Sequence, residues 1–159
     1  MATRHRTFTF ASTDIDGIAD EMALFGTASD GRRWMNIVPD ANEDEIHTGT
    51  LFWRVFSSRG PVIPQVTWVP QHEGRNGLEP AQLGVAHATG RRALDRLADR
   101  GVRPPPGFQV IQDHQKRGVV FVLEAGVDNS KIVEFAMGAI RELSPFDFED
   151  AYMATFSQQ

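Results

Sequence analysis

Near the start of the chain, the spacing of apolar residues predicts two strands on either side of a helix. RTFTF at 6–10 alternates at every second residue, as strands do, and RWMNIV at 33–38, closed by Pro39 and Asp40, predicts the next strand. Between them, apolar residues recur three and four positions apart, which is typical of an amphipathic helix. They are Ile15, Ile18, Ala19, Met22 and Phe25. Ser12 or Thr13 can cap this helix, and Gly26 can end it.

An acidic stretch at 40–50 carries no apolar periodicity, and we expect an exposed loop there. Two apolar runs follow it, LFWRVFSS at 51–58 and PVIPQVTWVPQ at 61–71, and the Arg-Gly pair between them predicts a hairpin. Proline cannot donate a hydrogen bond to a strand ladder. Because the second run contains Pro61, Pro64 and Pro70, we expect its strand to lie at an edge of the sheet.

A longer helical pattern comes next. A polar loop at 72–80 leads into a predicted helix over 81–100, whose apolar stripe contains Leu83, Leu94 and Leu97. His87 and Gly90 fall on the same stripe. Two interpretations follow: His87 is a hydrogen-bonded core residue beside a close-packed glycine, or the two residues form the floor of a pocket.

The last third of the chain predicts a second hairpin, a third helix and a closing strand. FQVIQD at 108–113 and GVVFVLEA at 118–125 are its arms, and the run 119–123 is apolar on both faces, as in a covered strand. Asp128 or Ser130 can cap the helix. The buried stripe of that helix is predicted to contain Ile132, Phe135, Ala136, Ile140 and Leu143. FDFEDAYMATF at 146–156 is compatible with a helix or a strand, and AYMATF at 151–156 would make a closing strand.

The predicted order is therefore β-α-β-β-β-α-β-β-α-β, a two-layer α+β domain with a mostly antiparallel sheet and three helices. The part from 13 to 143, α-β-β-β-α-β-β-α, resembles the type III secretion chaperones in topology, and no sequence motif of that family accompanies the resemblance.

Composition sets the class of protein. With 41% hydrophobic and 23% charged residues, we expect one soluble domain over 1–159. A net charge of −5 lacks the basic surplus that nucleic-acid-binding proteins usually carry. Four arginines would cluster on the predicted helix 81–100: Arg91, Arg92, Arg96 and Arg100. A solvated helix face also accounts for them, and we expect no nucleic-acid partner.

The chain contains no cysteine, which excludes disulfides and thiolate chemistry and fits a cytoplasmic protein. Residues 1–10 lack the apolar core of a signal peptide, and no run reaches the length of a membrane span. Of the 16 basic residues only Lys116 and Lys131 are lysine. This bias indicates a GC-rich, bacterial genome.

No motif names a reaction. The serines lie outside any nucleophile elbow, the glycines have the wrong spacing for a phosphate loop, and the histidines show no paired metal-ligand spacing. We therefore expect no cofactor and no metal. The acid/base candidates are His87, Asp113 and His114, with Glu124 as a further helper. Neighbouring strand residues point to opposite faces, and a polar hairpin tip around Lys116 and Arg117 explains Asp113 and His114 equally well.

The aromatic residues around the first predicted hairpin favour an interface. Both faces of 51–58 are partly apolar, so one aromatic set is expected to face away from the core. Interfaces concentrate aromatic residues and arginine. The candidate interface residues are Phe52, Trp53, Arg54, Phe56, Trp68 and Arg117.

These observations favour a non-enzymatic binding module that associates with itself, as a homodimer, or with another protein. The alternative is a small enzyme or ligand-binding protein with a pocket between helix 81–100 and the sheet, in which His87 acts as acid or base.

Overall fold

Seven strands form one antiparallel sheet in the computed structural model, which describes residues 2–27, 30–41, 63–87, 91–145, 147 and 149–159. In chain order the strands are β1 (Arg4–Phe10), β2 (Arg33–Pro39), β3 (Gln65–Val69), β6 (Gln82–Ala86), β7 (Phe108–His114), β8 (Gly118–Leu123) and β9 (Tyr152–Gln158). Two shorter strands, β4 (His72–Gly74) and β5 (Gly77–Glu79), pair with each other in a separate hairpin. Across the large sheet the order is β1-β9-β2-β3-β6-β8-β7.

Three helices accompany the sheet in the described ranges. They are α1 (Ile15–Phe25), which follows a 3-10 turn at Ser12–Asp14, α2 (Ala93–Asp99) and α3 (Asn129–Leu143). Asp128 caps α3 as predicted, since its carboxylate accepts a hydrogen bond from the Ser130 backbone N–H at 3.0 Å. All five residues of the predicted stripe of α3 are buried. None of the helices in the described ranges is long and apolar enough to cross a membrane.

The α+β class and the order of strands and helices are confirmed, but the predicted helix over 81–100 is wrong in its first half. Residues 82–86 form β6, and the helix begins only at Ala93. Leu83 and Val85 are buried, whereas Gln82, Gly84 and Ala86 are partly exposed, which is the alternation of a strand. Pairing with β3 on one side and β8 on the other outweighs the local helical pattern.

The predicted edge position of the second proline-rich run is also wrong. Its strand, β3, lies in the middle of the sheet between β2 and β6. Pro64 and Pro70 stand just outside the strand, so neither occupies a ladder position. The loop predicted over 72–80 contains the β4–β5 hairpin.

All three helices pack on one face of the sheet, which we call the helix side. Their buried residues form a single core cluster with alternate residues of the strands in the seven-stranded sheet, such as Met35 and Ile37 of β2. Aromatic rings join the two layers: the Phe25 and Phe156 centroids are 5.1 Å apart, and those of Phe121 and Phe135 are 5.5 Å apart, both edge to face. Arg6 of β1 reaches Glu21 of α1 at 3.0 Å on the same side.

Several predictions fall on residues outside the described ranges. They concern the acidic loop at 40–50 beyond residue 41, the strand at 51–58 and Gly90.

Candidate interaction surface

The face of the sheet opposite the helices carries three rows of side chains, and we call it the uncharged face. Residues paired across antiparallel strands point to the same side, so the register defines each row. The central row crosses all seven strands: Thr7, Thr155, Asn36, Thr67, Gly84, Val120 and Gln112. The row towards the start of β1 contains His5, Ser157, Trp34, Val69, Gln82, Val122 and Gln109. The third row contains Thr9, Met153, Val38, Gln65, Ala86, Gly118 and His114.

None of these twenty-one positions is Asp, Glu, Lys or Arg. At the chain's average of 23% charged residues, about five would be expected, and a solvated surface usually carries more. The charged residues of the strands lie instead on the helix side. Arg6, Arg33 and Asp113 all share the side of buried core residues.

Large apolar side chains on this face lie outside the core. Trp34, Val38, Val69, Val120, Val122 and Met153 are partly exposed, and none belongs to the core cluster or packs against it. In the described ranges all the packed helices lie on the other side of the sheet. The uncharged face is therefore a partly apolar surface that the described core leaves uncovered.

The polar groups of the uncharged face bond mainly to one another. The Thr67 hydroxyl donates to Asn36 Oδ1 at 2.8 Å, and the Gln65 amide donates to the same oxygen at 3.2 Å. At the edge, His5 Nδ1 lies 2.8 Å from Ser157 Oγ. Polar groups that already have partners lose little when water is removed, so covering this surface costs less than its polar composition suggests.

Two glycines of this face have different physical reasons. Gly118 has φ +80°, and an added Cβ would lie 2.2 Å from the Val85 carbonyl oxygen, so the β7–β8 turn requires glycine there. Gly84 lies inside β6 with no such constraint. A Cβ on Gly84 would meet only ordinary contacts, the carbonyl oxygens of Thr67 and Val119 at 4.0 Å.

His87 follows directly after β6 on the helix side and is 1% exposed. Burial lowers the pKa of His87 below its usual 6.5; the Asp113 carboxylate opposes this effect and the Arg96 guanidinium adds to it. His87 and Asp113, two of the predicted acid/base candidates, thus interact electrostatically, although His87 lies at the end of a strand and not on a helix.

A bulge brings Asp113 to the helix side. In β7 the register shifts between Val110 and Gln112, so that Ile111 is the extra residue. Val110 pairs with Phe121 and Asp113 pairs with Val119, both on the helix side. Asp113 Oδ1 is buried and has no hydrogen-bond partner in the part of the chain that the structure describes.

His114 points the other way and shapes the turn. Its Nδ1 accepts hydrogen bonds from the backbone N–H groups of Lys116 at 3.0 Å and Arg117 at 3.2 Å. Asp113 and His114 therefore lie on opposite faces, as expected for strand neighbours, and the structure does not bring His114 to His87.

The structure describes only two of the six predicted interface residues, Trp68 and Arg117. Phe52, Trp53, Arg54 and Phe56 lie outside the described residues. Trp68 is 4% exposed and faces the helices within the core cluster, so its indole offers no surface to a partner in this conformation. Arg117 is exposed in the β7–β8 turn.

Two cavities flank the loop from β8 to α3, where Glu124 lies. One, of about 260 Å³, lies between the end of α1 and this loop and reaches Trp68 and Ala81. The other, of about 370 Å³, lies beside Pro105 and Lys131. Ala81 precedes β6 whereas His87 follows it, so the first cavity is at the opposite end of that strand from His87. Among the described residues no three His, Asp or Glu side chains converge as metal ligands do.

Sequence reasoning missed the uncharged face, although its signal is present. The second, fourth and sixth residues of RWMNIVP are Trp, Asn and Val, and the outward positions of QVTWV and QLGVA are Gln, Thr, Val, Gln, Gly and Ala. Each strand alone is unremarkable in this respect. The absence of charge becomes evident only when the outward positions of all strands are combined.

No protein family matches this chain, and no characterised protein or solved structure is significantly similar to it. These comparisons therefore give no support to the resemblance in topology to the type III secretion chaperones.

Proposed function

We propose that this chain is a non-enzymatic protein-interaction module that associates with itself through the uncharged face of its sheet. The observation that carries the proposal is the lack of any Asp, Glu, Lys or Arg among the twenty-one positions of that face. Depletion of charged residues distinguishes the centre of a protein interface from the rest of a protein surface.

The size of the face supports a stable contact. Seven strands about 4.8 Å apart, with central strands about 17 Å long, give about 600 Å² of projected area on each copy. Two such faces together exceed the roughly 1,000 Å² that separates specific interfaces from incidental ones. Charge neutrality also means that identical faces do not repel each other.

The experiment compares the solution mass of three proteins by light scattering during gel filtration. The wild type is expected to be a dimer, and Thr67→Lys a monomer, because the ammonium would be buried without a partner at the centre of the face. Leu24→Lys is the matched control, since Leu24 is 67% exposed on α1, and it should keep the wild-type mass.

Circular dichroism and thermal unfolding show whether Thr67→Lys remains folded. Val122→Lys, in another row of the face, provides a second variant in case the loss of the Thr67–Asn36 hydrogen bond unfolds the first. A wild type that stays monomeric at high concentration, or folded lysine variants that stay dimeric, would contradict the proposal.

Acid/base chemistry at His87 has less support. The bulge does bring Asp113 towards His87, but the ring is 1% exposed and neither of the two cavities described above is lined by it. A nucleic-acid interface on the arginines near α2 is also less supported, because Arg91 approaches Asp99 at 3.9 Å and Arg96 faces His87.

The proposed setting is the bacterial cytoplasm. A composition without cysteine fits a reducing compartment, and the arginine bias fits a GC-rich genome.

A further inference from the structure

We propose that the partner on the uncharged face is a second copy of this chain, related by a two-fold axis that runs parallel to β3 between the two sheets. This inference rests on the proposed function, and it specifies which strands face each other. It starts from Gly84, a glycine of the face that the described residues of the protomer do not require.

Gly84 lies inside an interior strand, where glycine weakens a sheet because it packs no side chain and loses more backbone freedom on folding. Its backbone does not have a positive φ, and among the described residues a Cβ would meet nothing closer than 4.0 Å. The remaining physical reason for glycine in such a place is the close approach of another chain or ligand.

The two strands that flank β3 differ in the size of their outward side chains at two levels of the face. On β2 the outward residues include Asn36 and Val38, and on β6 the residues at the same levels are Gly84 and Ala86. β3 is the fourth of seven strands, so it separates two halves of three strands each. Asn36 and Val38 of β2 therefore form a ridge, and Gly84 and Ala86 of β6 form a hollow, each one strand away from β3.

A two-fold axis parallel to β3 matches the ridge to the hollow. Rotation about this axis places β2 of one copy over β6 of its partner, so Asn36 covers Gly84 and Val38 covers Ala86, while Thr67 meets the same residue on the axis. Such a contact is self-complementary, as a two-fold interface must be. An axis across the strands would instead place ridge on ridge and leave the hollows empty, at a cost in packing.

The strand edges fit association less well than the face. β7 carries the bulge at Ile111, which interrupts the regular row of groups that another strand would need. β1 carries Arg4 and Arg6, and charged side chains on an edge strand oppose strand addition. Face-to-face packing is therefore the arrangement that the chain leaves open.

Site-directed cross-linking tests the axis, because the chain has no cysteine of its own. Asn36→Cys and Gly84→Cys proteins carrying different tags are mixed, allowed to exchange subunits, and treated with a bis-maleimide whose reach matches the roughly 10 Å between packed sheets. We expect cross-linked dimers with one chain of each kind, and self-cross-linking of Thr67→Cys. Leu24→Cys, on the exposed surface of α1, is the control that should not cross-link.

The outcomes separate this inference from the proposed function. Cross-linking of Asn36→Cys with itself and of Gly84→Cys with itself, without the mixed product, would overturn the axis along β3 and leave a face-to-face dimer. A dimer that cross-links at none of the three positions would overturn the arrangement as well. A monomeric wild type would overturn both proposals.

Gly84→Val provides a second readout. The described residues of the monomer leave room for the side chain, so the thermal unfolding temperature should stay the same or rise. Dimer dissociation should increase at least about tenfold, because the valine fills the space that the partner's Asn36 would occupy. Unchanged dissociation in a folded Gly84→Val protein would contradict the close approach at this position.

Discussion

Asp113 and Val85 both pair with Val119, one from each side, so they face the same side of the sheet. Val85 lies near the end of β6, two residues before His87. If the same residues of β7 alternated regularly from Val110, with no bulge at Ile111, Asp113 would point to the uncharged face. The bulge therefore keeps a carboxylate away from the proposed interface and places it near a buried imidazole.

The first prediction concerns pH. Because burial lowers the pKa of His87 in the folded protein below the unfolded value of 6.5, the unfolded chain binds the proton more readily. The stability that neutral His87 contributes is complete above pH 6.5 and is lost as the pH falls towards the folded pKa. The slope for one proton is at most about 1.4 kcal/mol per pH unit.

Urea unfolding measured at several pH values below 7 checks this slope. His87→Gln should unfold with a flatter pH dependence than the wild type. Equal slopes in the wild type and His87→Gln would show that other groups govern the acid response.

The second prediction concerns the β7–β8 turn. Gly118→Ala should lower the free energy of unfolding by at least about 2 kcal/mol, because the new Cβ meets the Val85 carbonyl oxygen in addition to the strain of a positive φ. Gly77→Ala is the matched control: its φ is +111°, but a Cβ there meets nothing within 4 Å. It should cost only the conformational strain, about 1–2 kcal/mol. Chemical denaturation of both variants measures the difference.

The third prediction concerns Trp68. Trp68 is a core residue that packs near Gly26, directly after α1. Its replacement by alanine should lower the free energy of unfolding by about 3–5 kcal/mol, with little direct effect on association. Denaturant unfolding and light scattering on Trp68→Ala report the two effects separately. Dissociation of a dimer whose subunits keep their stability would instead assign Trp68 to an interface.

Sequence patterns predict best those elements whose cap, periodicity and length all lie within one continuous segment. The helix α3 has a cap at Asp128, a stripe at helical spacing and fifteen residues of length, so no distant partner is needed to define it. β6 is the contrary case. Its five residues alternate like a strand within a longer stretch of helical spacing, and the ladders with β3 and β8 decide between the two.

The candidate surface was beyond sequence reasoning for a related reason. Neighbouring strands of the uncharged face can lie far apart in the chain, as β2 and β9 do, and their register is a tertiary property. The aromatic residues drew attention to 51–70, where Trp68 proves to belong to the core. His87 stands out in the sequence because it interrupts an apolar stripe, but the position of Asp113 near it depends on a bulge that no pattern in FQVIQDH predicts.

The position of β9 between β1 and β2 has a consequence for synthesis on the ribosome. Among the described strands, residues 4–10 pair with 152–158 alone, so β1 cannot form its ladder until β9 has been synthesised. Contacts between such distant segments close late and slow folding. A nascent chain that stops before residue 152 leaves both β1 and the adjoining side of β2 bare, which makes this stage the one at which helper proteins would matter most.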